Sequence, residues 1–332
     1  MASHTRQLLS VVVPVFNEIE GVDAFYRRTK AVLDGLPDLD HEFVFVDDGS
    51  SDGSLERLTE FSNRDATVRV IKFSRNFGHQ IAITAGIDHA HGDAIIVIDA
   101  DLQDPPETIR DFVDKWREGY DVVFGVRSGR DGETRGKLWT ASLFYRLLRR
   151  STNVEIPADV GDFRLMSRRS AKVLRGMREK DRFVRGLVSW MGYEQAGVPY
   201  HRDARHAGET KYPYRKMVKF ALDGITSFSS APLKLASWMG YLASGLAFLY
   251  LASVFVQKAL GATIQGWATI MVALLFLGGV QLICLGIIGE YIGRIFNEIK
   301  GRPMYVVEEI IERGTGPSAA SRSLSLEEGL VR

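Results

Sequence analysis

Two stretches late in the sequence carry no charge: 23 residues from Leu235 to Gln257 and 31 from Ala259 to Gly289. Hydrocarbon offers no water to backbone N–H and C=O groups, so an apolar run of roughly 20 residues reads as a helix that crosses a bilayer. Only Lys258 separates the two runs. The pattern predicts a helical hairpin within residues 231–293, with spans at about 233–257 and 266–292. The second run is too long for one straight span, so its first part is expected to be loop. Lys234 precedes the first span, and Arg294, Lys300 and Arg302 follow the second. Cations on both outer flanks predict cytoplasmic ends. Gly278, Gly279, Gly286, Gly289 and Gly293 supply small residues for close packing, within the pair or between copies. Glu290, at the edge of the span, calls for a neighbouring cation.

The rest of the 332 residues is long enough for one domain of roughly 200 residues. A net charge of +1 gives no global field for nucleic acid. The single cysteine, Cys284, excludes an intrachain disulfide and a multi-cysteine zinc site. The first ten residues are polar, which predicts no cleavable leader.

Within residues 1–211, short valine- and isoleucine-rich runs alternate with helical spacing. Strands are expected at Leu8–Val15, Phe43–Val46, Val68–Phe73, Ile95–Ile98 and Val122–Phe124. Helices are expected at Gly21–Leu36, after Ser51 or Asp52, through Ile81 and Ile87, and from Pro105-Pro106 through Trp116. This order predicts an α/β fold with a mostly parallel sheet covered by helices on both faces. Each strand ends in polar residues on one edge: Asn17 and Glu18, Asp47 and Asp48, Arg75 and Asn76, Asp99 and Asp101, and Arg127. In such sheets ligands bind beyond the carboxyl ends of the strands. The run Asp99-Ala-Asp101-Leu-Gln103-Asp104 offers hard oxygen ligands, which suit Mg²⁺ or Mn²⁺ carried with a phosphate, or else forms a solvated acidic turn. Glycine-rich dinucleotide and P-loop fingerprints and a serine-nucleophile elbow are absent.

Four motifs together resemble family-two glycosyltransferases of the GT-A fold. They are Val13-Pro14-Val15-Phe16-Asn17-Glu18, Val46-Asp47-Asp48-Gly49-Ser50, Asp99 to Glu107, and Gly161-Asp162-Phe163-Arg164-Leu165-Met166. The segments from Arg202 to Tyr212 and from Gly289 to Arg294 resemble most the branch that acts on polyprenyl phosphates, in particular bactoprenol (undecaprenyl-phosphate) glucosyltransferases, with dolichyl-phosphate mannose synthases as relatives. The resemblance implies a Rossmann-like GT-A catalytic domain followed by a two-helix transmembrane hairpin. It implies a nucleotide pocket lined by Pro14, Phe16, Glu18 and Asp47, continuing through Asp48, Arg75 and Asp99. It implies that Asp101 and Gln103, with Asp99, hold Mg²⁺ or Mn²⁺ on the diphosphate. Asp47 and Asp48 could equally make an Asx-turn before the next helix, and Arg75 could be a solvated loop cation.

On the acceptor side, a polyprenyl phosphate is already an anion near neutral pH and needs cations to place it. Arg127, Arg130, Arg135, Arg202, Arg205 and Lys211 are the candidates, with Arg127 and Arg205 matching the family best. Asp162 occupies the family's catalytic position, so the implied catalytic set is Asp162, Asp101 and Arg127; a cap on a helix from Leu165 to Leu174 is the alternative for Asp162. His79 and His206 fall in loops without metal-ligand spacing. Ser128–Gly136 reads as a polar loop. Residues 212–230 alternate Arg215, Lys216 and Lys219 with Tyr214, Met217 and Phe220, as in a helix lying on a membrane surface or, alternatively, packed on the core. Residues 294–313 are expected to return to the catalytic domain, with Pro303 to Ile311 as a short strand and helix, and 314–332 to be a disordered tail. The implied protein is a homotetrameric, multi-pass enzyme of the inner (plasma) membrane with its catalytic domain and termini in the cytoplasm. It moves glucose from UDP-glucose to undecaprenyl phosphate. GDP-mannose or another UDP-sugar as donor, and a catalytically inactive scaffold, remain the alternatives. A processive synthase would need a Gln-x-x-Arg-Trp motif, which is missing.

Overall fold

The computed structural model describes residues 6–127, 160–180, 182–201, 231–260 and 266–313. These fall into two units, a catalytic-type domain and a helical pair.

The first unit is built on β1 (Gln7–Val15), β2 (Leu39–Asp47), β3 (Val68–Phe73), β4 (Ala94–Val97), β5 (Val122–Arg127), β6 (Val160–Ser167), β7 (Gln195–Tyr200) and β8 (Val307–Ile311). They form one sheet in the order β7-β5-β6-β4-β1-β2-β3-β8. β4, β1, β2 and β3 run parallel, as do β5 and β7. β6 is antiparallel to both β4 and β5, and β8 is antiparallel to β3. The helices are α1 (Val22–Asp34), α2 (Ser54–Arg64), α3 (His79–His89), α4 (Ile109–Arg117), α5 (Arg168–Gly176) and α6 (Val184–Trp190).

The period of two in β1 explains how both faces are filled. Val11, Val13 and Val15 join Phe25 and Val32 of α1, Leu58 and Phe61 of α2, and Phe112 of α4 in one apolar layer. Val12 points the other way, against α3. A Cβ at Gly86 would stand 2.2 Å from Val12 Cγ1, so that helix lies on the sheet at a glycine's distance.

β6 corrects the sequence reading. The alternative reading of Asp162, a cap before a helix from Leu165 to Leu174, does not hold, because the chain stays extended to Ser167. The helix begins at Arg168, and its cap is the Ser167 hydroxyl, which accepts from Ser170 N at 3.3 Å. Phe163 and Leu165 fill the layer that holds Phe112 while Met166 is buried on the other face, so every residue of the strand is buried and no alternation shows. The return segment is a strand only: β8 lies on β3, and no helix follows it among the described residues.

The second unit is α7 (Ala231–Ala259) and α8 (Trp267–Ile299). Both contain segments long and apolar enough to cross a membrane, Pro232–Gln257 and Val272–Ile299. Trp238, Leu242, Phe248 and Leu282 are each more than 65% exposed, an apolar surface that lipid would cover. The Cys284 thiol donates to Ala236 O at 3.5 Å across the pair. Glu290 pairs with Arg294 one turn on, at 3.3 Å. α8 runs past residue 292 to Ile299, farther than the expected span.

Candidate active site

The four parallel strands and β5 all end on one edge of the sheet, and antiparallel β6 begins there. The register between β4 and β6 pairs Val97 with Arg164. Asp99 and Asp162 lie just beyond this last pair, each two residues away from it along its own chain. One imidazole joins them: His79 Nε2 lies 3.5 Å from Asp99 Oδ1 and 3.5 Å from Asp162 Oδ2. His79 is not in a loop, as the sequence reading had it, but opens α3.

On the β1–β3 side, the loops hold one another. Phe16 is an exposed aromatic at the end of β1. Asn17 adopts a left-handed backbone (φ 56°), accepts from Ser51 N at 2.8 Å, and its own N–H donates to Ser50 Oγ. Glu18 N donates to Ser54 Oγ. Asp52 supports the start of α2 by accepting from Ser54 N at 3.0 Å. Pro14 is buried inside β1 opposite Val46 rather than on the open edge.

Asp47 makes the turn expected of it, accepting from Ser50 N at 3.3 Å, and its Oδ1 is buried without a hydrogen bond. Burial pushes its carboxyl up despite that bond. Asp48 does not reach the helix that follows. Its two oxygens accept from Phe77 N (2.6 Å) and Gly78 N (2.9 Å), so it anchors the loop after β3. Burial raises its carboxyl too, with the two N–H groups opposing. The two loops approach closely at Gly49 (φ 74°), where a Cβ would stand 2.9 Å from Asn76 N. Arg75 lies over the Phe77 ring at 3.9 Å and donates to Asn76 O.

At the centre, Asp99 follows β4. Burial first, then the carboxylates of Asp162, Asp104 and Asp101, push its carboxyl up to about 6, with His79 opposing. Its Oδ1 is buried without a hydrogen bond. Asp101 Oδ1 accepts from Gln103 N at 3.1 Å across a turn in which Leu102 has φ 57°. A leucine in that region costs about 1 kcal/mol, strain of the kind stored at functional turns. Among the described residues no three His, Cys, Asp or Glu side chains form a ready metal cage. Asp99, Asp101 and Gln103 nevertheless supply only oxygen donors, and a buried carboxylate oxygen lacking a hydrogen bond suits a hard cation that brings its remaining ligands with it.

The far side is organised by β5, β6 and β7. The Tyr200 hydroxyl donates to Asp104, which is buried, and Arg127 Nε lies 3.4 Å from that hydroxyl. Arg127 passes over Gly161, where a Cβ would meet Nη2 at 2.9 Å. Asp162 is buried and ion-paired with Arg185 through both oxygens, at 2.9 and 3.0 Å. Burial alone would raise its carboxyl, but His79 and Arg185 hold it far below the usual carboxylate range. His79 is itself raised: burial opposes, and Asp162 and Asp99 prevail.

The structure thus brings Asp99, Asp101, Gln103, Arg127 and Asp162 to one end of the sheet, with Asp47, Asp48 and Arg75 along the same edge. Arg130, Arg135, Arg202, Arg205, Lys211, His206, the 212–230 segment and the tail lie outside the described residues. Sequence reasoning missed His79, Gln80, Tyr200 and Arg185. His79 and Gln80 were findable, since they follow a strand end on the same edge.

Residues 10–175 match the family model described as "Glycosyl transferase family 2", and 231–295 match "GtrB C-terminal hairpin". An uncharacterized glycosyltransferase, YkcC of Bacillus subtilis (strain 168), is 54% identical over 90% of this chain and 93% of its own. A prophage bactoprenol glucosyl transferase homolog of Escherichia coli (strain K12) is 41% identical over 91% of this chain and 99% of its own. The bactoprenol glucosyl transferase of Shigella phage SfII is 41% identical over 91% and 97%.

Proposed function

The chain belongs to glycosyl transferase family 2, and on that premise we propose that it moves a hexose, glucose from UDP-glucose, to undecaprenyl phosphate at a membrane surface. The names carried by the E. coli and phage relatives support the acceptor and the sugar. The observation that carries the two-substrate reading is that Asp99, at the donor end of β4, and Asp162, beside Arg127, meet on one imidazole at 3.5 Å each.

In this reading Phe16, Glu18 and Asp47 line the nucleotide pocket, and Asp48 shapes it by holding the loop that carries Arg75. Asp99, Asp101 and Gln103 would hold Mg²⁺ or Mn²⁺. That ion supplies charge neutralisation as the nucleoside diphosphate departs. Arg127, joined by Arg130, Arg135, Arg202, Arg205 and Lys211, orients the acceptor phosphate, for which guanidinium is well suited. The phosphate oxygen attacks the anomeric carbon in line, and the configuration inverts. The helical hairpin anchors the enzyme in the inner membrane with both termini cytoplasmic, and its glycine-lined faces pack copies into a tetramer. Two spans are too few to carry the product across, so another protein does so.

The test is a panel of UDP- and GDP-sugars assayed with undecaprenyl phosphate and the purified full chain. UDP-glucose is expected to give the fastest transfer to lipid. A faster GDP-mannose reaction would replace the donor assignment, and no transfer from any donor would leave the inactive-scaffold reading. Arg205→Ala is expected to weaken use of the lipid phosphate more than binding of the UDP-sugar.

A further inference from the structure

Asp162 occupies the place of a general base, but its surroundings suit a different task. Its Oδ1 accepts from Arg185 Nε at 2.9 Å, with Arg164 Nη2 at 4.0 Å. Its Oδ2 accepts from Arg185 Nη2 at 3.0 Å and Gln80 Nε2 at 3.1 Å, with His79 Nε2 at 3.5 Å. Three N–H groups donate to this carboxylate, two from Arg185 and one from Gln80, and the Arg164 and His79 nitrogens stand just beyond them. Every one of them favours the anion. A general base needs a lone pair aimed at the proton it takes and an affinity for protons near the working pH.

The reaction has no proton for it to take. A phosphate oxygen of the ionised acceptor forms the new bond to the anomeric carbon. The bond from that carbon to the diphosphate oxygen breaks, and its electron pair leaves with the diphosphate. Atoms and charges balance without proton transfer.

Gln80 closes a circuit. Its Oε1 accepts from Val184 N at 3.3 Å, and Arg185 is the next residue along α6. Asp162 of β6, Gln80 of α3 and Val184-Arg185 of α6 therefore hold one another in a ring. Arg164 and Arg185 both flank this carboxylate; Arg164 is buried with it, whereas the Arg185 side chain is 29% exposed and open to an incoming anion. An incoming phosphate suits such a corner.

We propose that Asp162 is the fixed anion of this circuit and acts as a positioning residue, setting Arg185 and His79 for the acceptor's phosphate, with Gln80 as the lock. The inference rests on the proposed transfer to a polyprenyl phosphate.

The test uses the full chain in nanodiscs, wild type against Gln80→Ala, Asp162→Asn, Arg185→Gln and Arg185→Lys. It reads kcat, KM and Kd for undecaprenyl phosphate, and Kd for UDP. Gln80→Ala, Asp162→Asn and Arg185→Gln are expected to weaken the lipid by roughly tenfold, the loss of one ordinary contact, with a smaller effect on kcat at saturating lipid than on lipid affinity and UDP affinity nearly unchanged. Arg185→Lys should recover part of the loss. A collapse of kcat in Asp162→Asn by about a thousandfold at unchanged lipid affinity would identify a proton acceptor and overturn the proposal. Unchanged lipid affinity in Gln80→Ala, or an equal loss of UDP affinity in these variants, overturns it as well. Should the wild type transfer no sugar, the functional reading fails while the lipid affinities still decide this one.

Discussion

Asp48→Asn tests the idea that this carboxylate shapes the donor pocket by holding a loop. The side chain is buried, and its two oxygens accept from consecutive backbone N–H groups, Phe77 at 2.6 Å and Gly78 at 2.9 Å. Asparagine keeps one acceptor oxygen and turns an NH₂ group toward the other N–H. One charge-assisted hydrogen bond is lost and the other weakened, a cost of about 1.5–3 kcal/mol. Burial already raises the Asp48 carboxyl, which offsets part of the gain from its charge and favours the lower half of that range. The loop opens into Gly78 (φ 103°) and then His79, so the cost falls on the segment that sets the imidazole between Asp99 and Asp162. Hydrogen exchange read at the amides of Phe77 and Gly78 is the direct assay. About 1.5–2 kcal/mol corresponds to exchange roughly 10–30-fold faster at those two positions. Amides of β1 and β2 should exchange as before, and sugar transfer should fall with the loss of His79 placement. Unchanged protection at Phe77 and Gly78 refutes the anchor reading, whatever happens to activity.

Three further outcomes follow from the geometry. Asp101→Asn, or EDTA treatment of the wild type, is expected to lower transfer of radiolabelled sugar about a hundredfold or more, because a negatively charged ligand is lost from an all-oxygen site; undiminished transfer would remove the metal assignment. Gly86→Ala places a Cβ 2.2 Å from Val12 Cγ1 and should cost about 1–3 kcal/mol, seen as a lower melting temperature in detergent and partly restored by adding Val12→Ala; a restoration of zero would mean the contact is not the cause. His41 is held below its ordinary value, first by burial and then by Lys30, with a buried Nε2 that lacks a hydrogen bond. The folded state therefore resists the proton that the unfolded chain takes near pH 6.5, so stability is lost as pH falls through that value. Between pH 7.5 and 5.5 wild type should lose more melting temperature than His41→Gln, and parallel curves would contradict this.

The antiparallel strand β6 shows where legibility in the sequence stopped and why. The edge carrying Asp47, Asp48, Arg75, Asp99 and Asp101 could be read because each follows a short apolar run, and parallel strands joined by helices must end on one side. β6 obeys no such rule. It enters between β4 and β5 after a long connection, fully buried, and its apolar residues at 163, 165 and 166 fit a helix as well as a strand. Yet this strand brings Asp162 to the imidazole that Asp99 also faces, and no local pattern encodes a register between strands more than sixty residues apart. The same holds for His79 and Gln80: their types were visible, but their partners on β4, β6 and α6 come from tertiary packing. The polar edge of the sheet was therefore legible from local chemistry, while the junction around His79 was not. The residues at that junction, His79, Gln80 and Arg185, are also the ones on which the acceptor-side proposal depends. Substitutions there should change how the lipid phosphate is held, whereas substitutions at Asp101 should change the chemistry of leaving. Those two phenotypes, lipid affinity against kcat, are separable in one kinetic experiment, and finding them mixed at both positions would mean that the centre has no such halves.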